Sequence, residues 1–109
     1  MWRQADPLVV ASVGYVEIVS AISRRLHGQR QRHARRWLER YWDEVFVIDV
    51  DETLVRSAAD LGERHRLRAL DAIHLAAGRV SAVDEDFVFV TWDHELSAAA
   101  RAEGMAVAP

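Results

Sequence analysis

Apolar residues along the chain switch between a helical and an extended rhythm, and the switches predict the elements. LVVAS, residues 8–12, is a short extended run. From about residue 13 to 27, Tyr15, Val16, Val19, Ile22 and Leu26 fall on one helical face, with Ser12 as N-cap and Gly28 as stop. A second helix spans about 30–44, with Ala34, Trp37, Leu38, Tyr41 and Trp42 at i, i+3, i+4, i+7 and i+8, the spacing of a packed core face. VFVID, residues 45–49, reads as a buried strand, followed by a helix over about 51–65 carrying Leu54, Ala58 and Leu61. DFVFVTWD, residues 86–93, is the strongest strand signal, and Asp93 caps a helix over about 94–103 that Gly104 stops. MAVA, residues 105–108, is a last short strand.

LRALDAIHLAAG, residues 67–78, breaks the amphipathic pattern. Leu70, Ala72, Ile73, Leu75, Ala76 and Ala77 cover most of the wheel, leaving one strip with Asp71, His74 and Gly78. A helix apolar nearly all round is buried, yet this one keeps a carboxylate, and burying an unpaired charge costs several kcal/mol. Helices alternating with short apolar strands predict an α/β fold with a mostly parallel sheet, in one domain over residues 1–109.

Composition narrows the class. The chain has no cysteine, which excludes disulfides and thiolate metal sites. No apolar run approaches the ~20 residues of a membrane span, and MWRQADPLVV lacks the architecture of a signal peptide. A cytoplasmic protein without a membrane partner is the expectation. The net charge is −3, but seven arginines between Arg24 and Arg40 stand against one acid, Glu39, so that segment is +6 and the remainder −9. Such a basic stretch meets phosphates or an acidic partner, or is an ordinary solvated helix face.

Three acids are candidates for chemistry. Asp71 is either a first-turn acid satisfying helix amides, or paired with His74, or a ligand. Asp93 lies just beyond an apolar strand, where open α/β sheets bind ligands, although an N-cap is the local alternative. Thr91, two residues earlier, either orients a metal-bound water or is an ordinary strand threonine. Glu17 lies off the apolar stripe of its helix beside Ser20, Ala21 and Arg24. If the three converge, each pair at ~5 Å repels by roughly 3 kcal/mol at an effective dielectric of 20. Protonation or a cation must then hold them, and an all-oxygen set suits Mg²⁺ or Mn²⁺. The five histidines are scattered, with none paired at zinc-ligand spacing.

In this order YVEIVSAI around Glu17, LRALDAIHLAAG around Asp71, FVTWD around Asp93 and the closing EGMAVAP resemble the PIN-domain family, best of all the PIN toxins of VapBC-type toxin–antitoxin pairs. The resemblance implies a three-layer α/β/α sandwich and a metal-dependent endoribonuclease. It implies Glu17, Asp71 and Asp93 as catalytic, metal-binding acids holding Mg²⁺ or Mn²⁺. It further implies an RNA substrate guided by arginines, a homodimer and a cognate antitoxin. The family begins with an apolar strand ending in an aspartate, and no such strand precedes LVVAS. Asp6, before Pro7, lies in what resembles the segment leading to Glu17. The expectation is a domain lacking its first strand and one acid, starting roughly 35 to 40 residues late. The competing expectation is a non-catalytic or degenerate PIN-like module that binds a protein or RNA through its Arg-rich helices.

Overall fold

The computed structural model describes residues 8–83 and 86–109, so Asp6 lies outside the described residues. The chain divides into two compact units, Met1–Ile48 and Asp49–Pro109.

In the first unit, β1 (Val9–Ala11) leads into α1 (Val13–Arg25), then α2 (Gly28–Trp42), then β2 (Phe46–Ile48). β1 and β2 pair in parallel, Val9 opposite Phe46 and Ala11 opposite Ile48. Ser12 belongs to this ladder: its N–H donates to the Ile48 carbonyl at 2.9 Å. Its backbone is already helical and its side chain makes no capping bond, so it is not the side-chain N-cap that its residue type suggests. Gly28 opens α2 at φ +60° rather than closing α1, whose last turn ends at Leu26. Ala11 and Leu38 form the buried apolar centre. Tyr15 of α1 meets Trp42 of α2 edge to face at 5.2 Å, and its hydroxyl bonds to the Glu39 carboxylate.

Two further expectations fail in this unit. β2 is not a buried strand, since Phe46 is 62% and Val47 39% exposed. The stripe on α2 is not a continuous core face either. Leu38 is buried and Trp42 half-buried, but Trp37 and Tyr41 are exposed. The stripe subtends more of the helix circumference than α1 covers, so its far edge emerges into solvent.

The second unit runs α3 (Glu52–His65), α4 (Ala69–Ser81), β3 (Val88–Val90), α5 (His94–Ala102), β4 (Ala106–Ala108). Asp51 caps α3 by accepting from the Leu54 N–H at 2.8 Å. Its apolar positions i, i+4 and i+7 bury Leu54, Ala58 and Leu61. β3 and β4 pair in parallel around α5, a compact β–α–β unit. Parallel pairing of all four described strands bears out the α/β expectation.

α4 is apolar nearly all round because it is covered on more than one side. Toward α3, Gly62 lies so close that an added Cβ would meet the Ala72 Cβ at 3.2 Å. Toward the strands, a Cβ on Gly78 would lie 2.7 Å from the Phe89 ring. Gly78 is therefore a close-packing position, not part of a polar strip. Leu75, Ala76 and Ala77 fill the space between, with Leu75 fully buried.

The C-terminal ends of the three helices meet at Glu103, which is 8% exposed. Arg64 Nη1 donates to its Oε2 at 2.7 Å, and Arg79 Nε lies 3.7 Å from Oε1. His65 Nε2 is 2.6 Å from Oε2, and because an ionised carboxylate only accepts, that nitrogen carries the proton. The His65 bond first, then the Arg64 bond, holds the Glu103 carboxyl below its ordinary range, against the opposing effect of burial. A depressed folded-state pKa stabilises above the unfolded value, near 4.3, and that contribution disappears as pH falls through the folded value. Glu103→Gln is therefore expected to cost about 1–3 kcal/mol at pH 7. In thermal melts its deficit against the unsubstituted chain shrinks toward pH 3.5. A deficit constant with pH would contradict this.

Candidate active site

Asp93 sits where a site is expected in a parallel β–α–β unit, at the step from the carboxyl end of a strand into a helix. The backbone there is pinned twice. The Thr91 N–H donates to the Ala108 carbonyl at 2.9 Å, continuing the β3–β4 ladder. Thr91 Oγ1 accepts from the Asp93 N–H at 3.1 Å. Asp93 Oδ1 accepts from the Leu96 N–H at 2.9 Å, so the N-cap reading is realised. Capping uses only that oxygen. Among the described residues Oδ2 has no hydrogen-bond partner, and the side chain is exposed, so one carboxylate can cap α5 and still offer an oxygen outward.

Asp71 is third in α4. The N-cap position belongs to Arg68, whose side chain makes no capping bond. Asp71 is half-buried, and among the described residues its carboxylate makes neither a hydrogen bond nor an ion pair. The expected capping role is thus absent, and first-turn placement leaves only the helix dipole, worth about 0.3–1 kcal/mol, as local compensation. His74 is half-buried and engaged in a contact of its own.

The connection between α4 and β3 relates these two acids. Gly78, near the end of α4, touches Phe89, near the start of β3. A helix and the strand that follows it through a short connection run antiparallel. From that contact, α4 leads back to Asp71 over about 10 Å at 1.5 Å per residue. β3 ends at Val90, and the chain reaches Asp93 through a bend at Trp92.

Glu17 belongs to the other unit. It lies on α1, half-buried, and is engaged in a polar or ionic contact. Among the described residues no three His, Asp or Glu side chains gather closely enough to hold a metal ion. The donor chemistry fits a hard divalent cation, being entirely carboxylate oxygen. Nor is any helix among the described residues long and apolar enough to cross a membrane.

Two features escaped the sequence pattern. The Glu103 cluster joins residues 38 and 39 positions apart, a separation with no local signature. The exposure of Trp37 and Tyr41 is equally invisible to periodicity, which identifies a face but not what covers it.

Residues 1–102 match the family model described as PIN domain. The chain is 29% identical over 114 residues to Ribonuclease VapC45 of Mycobacterium tuberculosis (strain CDC 1551 / Oshkosh), covering 100% of this chain and 78% of that protein. The same identity and coverage hold for Ribonuclease VapC49 of Mycobacterium tuberculosis (strain ATCC 25618 / H37Rv). Ribonuclease VapC47 of strain CDC 1551 / Oshkosh is 30% identical over 105 residues, covering 96% of this chain and 73% of that protein. No solved structure gives a significant match. With a family model spanning nearly its whole length, parallel strand pairs and an aspartate at the strand-to-helix step, the chain belongs to the PIN-domain family, among its VapC-like members.

Proposed function

We propose that the chain is a divalent-metal-dependent endoribonuclease, the toxin of a VapBC-type pair, hydrolysing RNA phosphodiester bonds in the cytoplasm. The observation that carries this reading is the match to the PIN family over residues 1–102, with three similar proteins each named a ribonuclease. Asp71 supports it independently: it is a half-buried carboxylate that makes no hydrogen bond or ion pair among the described residues, with only the helix dipole as local compensation.

In this reading Glu17, Asp71 and Asp93 hold Mg²⁺ or Mn²⁺. When bound, such an ion activates water and offsets charge building on the phosphate. The protein's own contribution is positional. Asp93 keeps one oxygen on the Leu96 amide, which sets the carboxylate plane and leaves the other oxygen outward. Thr91 fixes the turn that carries it. Asp71 is held at the head of a helix clamped between Gly62–Ala72 packing and the Gly78–Phe89 contact. A cognate antitoxin as inhibitor and assembly as a homodimer complete the proposal.

The test is incubation of the full chain with a labelled single-stranded RNA in Mg²⁺ and, separately, in EDTA. Cleavage in Mg²⁺ that EDTA abolishes is expected. Equal cleavage in both, or none with either Mg²⁺ or Mn²⁺, would contradict the reading.

A further inference from the structure

We propose that the outer face of α2 is a docking surface for single-stranded RNA. RNA is named as the ligand on the strength of the ribonuclease reading; the surface itself is argued from its chemistry. α2 carries five arginines against one glutamate, and Leu38 is its one buried residue. At 100° per residue, Arg30, His33, Trp37, Arg40 and Tyr41 lie within about 60° of Trp37 on the helical wheel. All five are exposed.

The helix's acid is already paired. Glu39 accepts from Tyr15 and pairs with Arg35 at 3.6 Å, on the side of α2 toward α1. Among the described residues Arg30, Arg36 and Arg40 have no acidic partner. Among the described residues these guanidinium groups are therefore free of ion pairing, with Glu39 already engaged. An open concavity of about 660 Å³ runs past Arg30, His33 and Arg36, and a second of about 550 Å³ runs past Arg36 and Arg40 as far as the Arg35–Glu39 pair.

Aromatic surface lies in the middle of this charge. The Trp37 and Tyr41 rings stack with centroids 4.9 Å apart and planes 10° from parallel. Trp37 is nevertheless 52% and Tyr41 37% exposed. A prealigned, half-exposed ring pair flanked by guanidinium groups matches a ligand with both flat faces and regularly spaced anions. Single-stranded RNA has both: phosphates for the arginines and unstacked bases for the indole. An acidic peptide would satisfy the charge but not the rings. A second copy of the chain, docked face to face by a two-fold axis, would set these arginines against one another. From Arg30 to Tyr41 the face is about 16 Å long at 1.5 Å per residue, enough for a few nucleotides.

The test measures binding of a labelled single-stranded RNA decamer to the full chain by fluorescence anisotropy in EDTA, at several salt concentrations. Trp37→Ala should weaken binding about tenfold, the loss of one stacked base. Arg30→Ser with Arg40→Ser should lower the slope of log affinity against log salt by about 1.4, at 0.7 per phosphate contact. Asp60→Asn, on an exposed turn of α3, should bind as the unsubstituted chain does. All three arginine and tryptophan positions are exposed, and circular dichroism confirms that each variant is folded.

Unchanged affinity and salt slope in these variants would overturn the proposal. So would a change in molecular mass by light scattering without a change in RNA affinity, which would make the face a contact between copies. Metal-dependent cleavage with unaltered binding in the α2 variants sinks this surface and leaves the ribonuclease reading standing. Binding that depends on α2 without any cleavage does the reverse.

Discussion

Asp71→Asn is expected to lower Mg²⁺-dependent RNA cleavage by at least a hundredfold while leaving the fold intact. The amide has the shape of the carboxylate but no charge to hold a divalent cation. Losing several kcal/mol of electrostatic stabilisation at the phosphate corresponds to a hundred- to thousandfold in rate. Stability moves little, because the side chain makes no hydrogen bond or ion pair among the described residues. Only the interaction with the head of α4 is lost, worth up to about 1 kcal/mol. Asp60→Asn, on an exposed turn of α3, is the matched control and should cleave normally. Cleavage rates and thermal melts on the three proteins separate the two effects. A large fall in melting temperature for Asp71→Asn would make it a structural residue instead.

Leu75→Ala is expected to unfold the Asp49–Pro109 unit or leave it barely folded at 25 °C. Leu75 has no exposed surface and sits mid-way along the helix clamped on both sides. Truncating such a leucine costs about 2–5 kcal/mol, transfer and cavity together. A unit of about 60 residues has roughly 3–9 kcal/mol in total at 0.05–0.15 kcal/mol per residue. The neighbouring Leu70 is 44% exposed, and Leu70→Ala should cost under about 1 kcal/mol. Urea denaturation of the two variants checks the contrast. Comparable losses would mean that α4 is not the centre of this unit.

Much of the secondary structure was legible because local signals agreed with one another. Asp51 and Asp93 both announce a helix by residue type and both accept the capping amide. The β-branched and aromatic run around Phe89 and the Gly104 stop at φ +89° fall where residue chemistry puts them. Ser12 shows the limit of that logic, since a hydroxyl able to cap stands in a backbone already committed to the β1–β2 ladder. Burial was less legible than position. Phe46 and Trp37 have the spacing of core residues, but spacing does not say whether a second surface lies against them.

The candidate site was legible residue by residue rather than as a constellation. Asp71 stands out because its apolar neighbours in sequence make a carboxylate costly, and its lack of a hydrogen bond or ion pair among the described residues sharpens that signal. Asp93 is less conspicuous, since capping alone accounts for its residue type, and only its outward oxygen suggests a second use. Glu103 shows the opposite case. Its side chain is nearly enclosed, yet two arginines and His65 account for it, and nothing within several residues of it in sequence foretells them.

The central claim is that these carboxylates are kept to hold a divalent ion, and titration with Mn²⁺, followed by its electron paramagnetic resonance signal, addresses it most directly. The account predicts saturable binding by the full chain, competed by Mg²⁺ and lost in both Asp71→Asn and Asp93→Asn. Binding unchanged in both variants, or no binding by the unsubstituted chain, would contradict it.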